Sequence, residues 1–103
     1  MLRFYITRLL GWCEEIGLKV LIDLHGAPGS QNGFDNSGQR GPARWVDDFR
    51  YMDRTLVVLD KLTELVVDWV AAGVMSDSTL YGIEITNEPK GWEEVLWVEL
   101  HDR

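Results

Sequence analysis

At 103 residues, with 46% hydrophobic and 26% charged side chains, the chain has room for a single globular domain with a modest core. Its formal charge of −7 at pH 7, with ten scattered Lys and Arg, argues against a nucleic-acid partner, because phosphate neutralisation needs a basic patch. No apolar run approaches the roughly 20 residues of a membrane span, and the one cysteine, Cys13, rules out an internal disulfide.

Leu2, Ile6, Leu9, Cys13 and Ile16 recur at spacings of three and four, which predicts a helix burying that face. Gly17 supplies a left-handed stop. Arg8 interrupts the apolar stretch from Leu2 to Leu10 and no small-residue cleavage site follows, so the segment reads as a helix and not as a secretory signal. Residues 19–24 form a short apolar, β-branched run without strict alternation, the pattern of a parallel strand covered on both faces.

From His25 to Pro42 the composition changes to Gly, Pro, Ser, Asn, Asp and Gln, which predicts a loop. A connection of this length in a compact domain is usually functional. Periodicity returns with Met52, Leu56, Leu59, Leu62, Val66, Trp69 and Val70, a long amphipathic helix ending near Gly73. Residues 80–86 read as a second strand, closed by Pro89, and Trp92 to His101 begin a further helix. The order is α/β, and two strands joined by a helix are expected to be parallel.

Parallel strands deliver their following residues to one edge of the sheet. His25 and the pair Asn87 and Glu88 therefore meet at the C-terminal edge, where α/β folds place their sites. Among the tryptophans, Trp12 and Trp69 fall on apolar helix faces and are expected in the core. Trp45 and Trp92 follow the candidate site loops, where either packing or ligand contact fits, and Trp97 carries no signal.

Asn87-Glu88-Pro89 places a carboxylate at a strand end, next to an amide and ahead of a rigid residue. Glycosidic cleavage needs such a group, held in place, to give a proton to the leaving oxygen and later take one from water. A neighbouring Asn can hydrogen-bond a sugar hydroxyl. Taken alone, the tripeptide more often describes a solvated turn carboxylate, and a lone His such as His25 is more often structural than functional.

The stretch Ile22-Asp23-Leu24-His25-Gly26-Ala27-Pro28-Gly29-Ser30-Gln31-Asn32-Gly33-Phe34-Asp35-Asn36-Ser37-Gly38 changes that weighting. It resembles the corresponding segment of the fungal-type exo-β-1,3-glucanases of glycoside hydrolase family 5. Gly82-Ile83-Glu84-Ile85-Thr86-Asn87-Glu88-Pro89 is similar to the acid/base strand of the same family. The resemblance covers residues 2–89; Thr86 stands where an apolar residue is commoner, and residues 90–103 depart from the family pattern.

The resemblance implies a partial (β/α)8 TIM barrel of about two βα units, the third and fourth strands of the parent barrel, with His25 after one and Glu88 after the other. It implies Glu88 as the catalytic acid/base, and His25 and Asn87 as substrate-binding residues of the cleavage subsite. Phe34 would flank the pocket entrance, with Asn32 and Asp35 as polar neighbours. The implied substrate is β-glucan, the implied setting extracellular or cell-surface, and neither cofactor nor metal is expected.

A retaining glycosidase also needs a second carboxylate about 5 Å from the first. Glu84 lies four residues before Glu88 along the same strand, a backbone separation of roughly 13 Å, and Asp23 fits better as a barrel-interior residue. In the resembled family the nucleophile is a Glu ending the seventh strand. The chain is thus expected to be a fragment, inactive alone. The competing reading is a non-catalytic glucan-binding module or a decayed glycosidase remnant. A phosphate cradle is disfavoured, since the loop glycines form neither G-K-[ST] nor G-x-G-x-x-G. A metal site is disfavoured because His25 has no second His at ligand spacing.

Overall fold

The computed structural model describes residues 1–90. Helix α1 (Leu2–Ile16) leads to strand β1 (Val20–Asp23), a single 3-10 turn at Asp35–Ser37, helix α2 (Phe49–Ala71) and strand β2 (Leu80–Glu84). The helix expected from Trp92 to His101 lies outside the described residues. The described residues separate into two units, one of Met1–Asp23 with Val58–Glu84, the other of Leu24–Val57 with residues 85–90.

In the first unit α1 ends as its sequence predicts. Gly17 adopts φ 69°, ψ 25°, a left-handed conformation open to a residue without Cβ. Its N–H donates to the Glu14 carbonyl at 3.3 Å, and the Leu18 N–H reaches the Cys13 carbonyl at 2.9 Å, so the last turn is closed and the chain redirected into β1. α2 closes with the same pattern, Gly73 N–H to Val70 O and Val74 N–H to Trp69 O.

β1 and β2 pair in parallel, as expected of strands joined through a helix, with Leu21 opposite Gly82, Ile22 opposite Ile83 and Asp23 opposite Glu84. Val20 pairs with Leu80, so Tyr81 is an extra residue in the ladder, a bulge that turns its ring to solvent. The core of this unit joins Leu10, Val66, Trp69 and Met75, with Ile6, Val20, Ile22, Leu65, Val74, Leu80 and Ile83 packed around them. Burying a Leu or Met side chain stabilises by roughly 1.5–3 kcal/mol.

Three expectations change here. The buried stripe of α1 runs through Leu10 and Cys13, whereas Leu2, Leu9 and Ile16 are exposed. Trp12, expected in the core, is 52% exposed and lies beneath the Arg8 guanidinium, 5.1 Å from the ring centroid. β1 alternates between half-buried and exposed residues, with Leu21 50% exposed, so among the described residues it is covered on one face and not on both. The common cause is that apolar residues surround more of α1 and β1 than the partners in this unit can cover.

Glu14, near the end of α1, ties the turn before β2. Its carboxylate accepts hydrogen bonds from the Ser76 N–H at 2.9 Å, the Ser76 hydroxyl at 3.0 Å and the Thr79 hydroxyl. The Ser76 N–H is the largest influence holding its pKa below the ordinary value, followed by the Thr79 hydroxyl. The buried indole Nε1 of Trp69 has no hydrogen-bond partner among the described residues.

The second unit has a different interior. Trp45 is 3% exposed, and its Nε1 donates to the Thr55 hydroxyl at 2.9 Å, which itself donates to the Tyr51 carbonyl at 2.9 Å. Packing therefore accounts for this ring. Asp48 caps the start of α2 by accepting the Arg50 N–H at 2.9 Å, and it also binds the Arg50 guanidinium, which is the first reason its pKa is lowered. Among the described residues no helix is long and apolar enough to cross a membrane.

Candidate functional site

The site is built by the loop that follows β1 and the short segment that follows β2. A loop of this composition has many backbone groups that no ladder satisfies, so its own polar side chains must do so. Ser30 and Ser37 supply one such set. The Gly33 N–H donates to Ser30 Oγ at 2.8 Å, the two hydroxyls lie 2.7 Å apart, and Ser37 Oγ donates to the Phe34 carbonyl at 2.8 Å. The Gln39 carbonyl also lies 3.1 Å from Ser37 Oγ, and with the one Ser37 proton on either carbonyl it is Ser30 that donates to Ser37.

Gly33 itself, at φ 77°, packs against the Gly41 carbonyl so closely that a Cβ would overlap it. The Gly41 N–H returns a hydrogen bond to the Gly33 carbonyl at 3.0 Å. The loop thereby closes on itself, and Asp35–Ser37 forms its 3-10 turn.

Gln31, 1% exposed, links this loop to both strand-end segments. Its Nε2 donates to the His25 carbonyl at 2.8 Å and to the Asn87 carbonyl at 2.9 Å, and its Oε1 accepts the Ala27 N–H at 3.0 Å. The Asn87 N–H reaches the Leu24 carbonyl at 3.2 Å, so the two segments stay paired past the end of the ladder.

Glu88 follows at φ 45°, one of two non-glycine residues with positive φ among the described residues, the other being the fully buried Ser30. For an L-residue the left-handed region costs about 1–2 kcal/mol, and it persists where the surroundings over-determine it. The carboxylate is exposed and accepts from Asn36 Nδ2 at 3.1 Å. Asn36 Oδ1 accepts from Asn32 Nδ2 at 3.1 Å, and Asn32 Oδ1 accepts the Phe34 N–H at 2.9 Å. Two amides in series thus aim one carboxylate.

The residues singled out from sequence all fall in this unit. Glu88, His25, Phe34 and Asp35 are exposed and Asn87 is half-buried, whereas Asn32 is 3% exposed with both ends of its amide engaged. Phe34 and Asp35 line an open depression of about 350 Å³ with Gly33, Asn36 and Arg40. Asn36 belongs to both this depression and the carboxylate contact. No sequence pattern singles out Asn36, Gln31, Ser30 or Ser37. The signal available was the density of small amides and hydroxyls in a loop without a ladder. Among the described residues no three His, Cys, Asp or Glu side chains cluster as metal ligands would.

No family model matches the chain. Curated proteins do. The chain is 48% identical to the glucan 1,3-beta-glucosidase of Pichia angusta over 87 residues, 84% of this chain and 19% of that protein. It is 44% identical over 85 residues to the probable glucan 1,3-beta-glucosidase A of Aspergillus niger, covering 82% and 18%. With glucan 1,3-beta-glucosidase 1 of Schizosaccharomyces pombe it shares 40% identity over 89 residues, covering 86% and 20%. The chain therefore spans about a fifth of the length of the relatives it matches.

Proposed function

We propose that the chain is part of a (β/α)8 barrel of glycoside hydrolase family 5, with β1 and β2 as its third and fourth strands, and that the whole protein hydrolyses β-1,3-glucan with retention. The observation that carries this reading is the posture of Glu88. An exposed carboxylate is held at a positive φ and hydrogen-bonded by Asn36, beside an aromatic-edged depression. The names of the relatives, each a glucan 1,3-beta-glucosidase, supply the substrate class.

Glu88 acts first as an acid. Its carboxyl proton passes to the glycosidic oxygen as the bond from that oxygen to the anomeric carbon breaks, while a second carboxylate forms its own bond to the same carbon. Glu88, now a carboxylate, takes a proton from water. The water oxygen attacks the anomeric carbon, the enzyme ester breaks, and glucose leaves with its original anomeric configuration.

Asn87 and His25 bind sugar hydroxyls, and Phe34 offers its exposed ring to the C–H face of an adjoining glucose. Asp35 lies beside that ring as a polar contact, and Asn32 works through Asn36. The second carboxylate is supplied from outside these 103 residues, so the isolated chain does not hydrolyse glucan.

The test is product analysis by proton NMR during hydrolysis of laminarin by the full-length protein. Release of β-glucose before mutarotation, with a rate loss on the order of a hundredfold or more in Glu88→Ala, is expected. Release of α-glucose first would sink the retaining mechanism. Release of glucose by the isolated 103-residue chain would sink the requirement for a second, external carboxylate.

A further inference from the structure

We propose that Gln31 is a positioning residue for Glu88, an assignment that rests on the acid/base reading above. Glu88 occupies a backbone conformation that an L-residue does not choose unaided, and its nearest restraints on either side both come from Gln31. On one side the Asn87 carbonyl accepts from Gln31 Nε2 at 2.9 Å; on the other the Lys90 N–H donates to the Gln31 backbone carbonyl at 2.9 Å. The second Nε2 hydrogen goes to the His25 carbonyl at 2.8 Å, and Oε1 takes the Ala27 N–H at 3.0 Å.

A glutamine that merely filled space would need none of these bonds. Here both amide hydrogens are directed at the carbonyls of the two residues expected to hold the sugar, His25 and Asn87. At 1% exposure there is little water to replace them. The bracket and the strain sit on the same residue, Glu88, whose carboxylate is aimed from the other direction by Asn36. Gln31 therefore fixes where the acid stands relative to the residues that bind its substrate, without touching substrate itself.

The experiment compares Gln31→Met and Gln31→Glu with Glu88→Gln in the full-length protein. Met keeps the volume and removes the hydrogen bonds of the side chain. Glu keeps the acceptor for Ala27 and turns the other oxygen toward two carbonyls. The readout is kcat/KM on a β-1,3-linked glucose disaccharide, whose departure needs a proton, and on an aryl glucoside with a dinitrophenolate leaving group, which does not. Displacing a catalytic group by about 1 Å can cost about a hundredfold in rate.

A loss of that order on the disaccharide, with the activated glucoside changed by no more than about threefold, is expected for Gln31→Met and more strongly for Gln31→Glu. Equal losses on both substrates, the mark of a merely structural part, would overturn the proposal, and so would wild-type values on both. If Glu88→Gln lowers both substrates equally, the acid/base reading fails, and that is visible without reference to Gln31. A second readout needs no activity: the one-bond Cα–Hα coupling of Glu88 reports the sign of φ. Gln31→Met should move Glu88 out of the positive region, and retention of positive φ overturns the assignment.

Discussion

Among the described residues, the buried side chains of the first unit are Leu10, Cys13, Val66, Trp69 and Met75, with Thr79 as the polar one among them; those of the second are Ser30, Gln31, Asn32, Ser37 and Thr55, with Ala27 and Trp45 as apolar companions. The contrast follows from what each unit does with its backbone. Helices and strands satisfy their own amides and are free to bury hydrocarbon. A long loop cannot, and buries the side chains that satisfy it. Apolar packing is non-directional and sets how stable the first unit is. A directional network of hydrogen bonds fixes the loop of the second unit around Glu88, which is what a carboxyl group must have if it is to deliver a proton.

The comparison can be broken from its apolar side first. Leu10→Ala removes buried methyl groups from the core of the first unit and is expected to destabilise by about 2–5 kcal/mol in urea denaturation, depending on how far the cavity collapses. A loss well below that range would mean that the cluster of Leu10, Val66, Trp69 and Met75 does not hold the unit.

Thr55→Val probes the polar side. It keeps the shape of the residue but leaves Trp45 Nε1 buried without an acceptor, an expected loss of about 1–3 kcal/mol by the same measurement. A neutral outcome would mean that the network is decoration on an apolar contact.

The smallest effect is electrostatic. Glu14 has a folded-state pKa below its ordinary value, so the stability it adds is fully present above that value and is lost as pH falls through the lower folded-state pKa. Thermal melts of wild type and Glu14→Gln should differ at neutral pH and converge under acid. Because the carboxylate is exposed, the difference is expected to be modest, and a gap that persists at low pH would contradict the assignment.

How far the sequence disclosed these two interiors differs as well. The elements of the first unit were legible because periodicity and Gly17 report on local physics, and the parallel pairing follows from the helical crossover. Their buried faces were less so. The apolar arc of α1 is wider than its partners, so Leu9 and Trp12 look as buried as Leu10 until the packing is known. In the second unit the composition pointed to a site and the resemblance pointed to Glu88, His25, Asn87, Asn32, Phe34 and Asp35. Nothing in the order of residues 30–37 tells which hydroxyl or amide reaches which carbonyl. Gln31 bonds to Asn87 across 56 positions, a pairing that only the folded loop creates.

The most direct test of Glu88 as the acid held by this network is the Glu88→Ala variant of the full-length protein, assayed on an activated aryl glucoside with and without added azide. Restored turnover with formation of β-glucosyl azide is the expected result, because the anion enters the space vacated by the carboxylate and needs no general base. An absence of rescue, or formation of the α-azide, would contradict the assignment of Glu88 as acid/base.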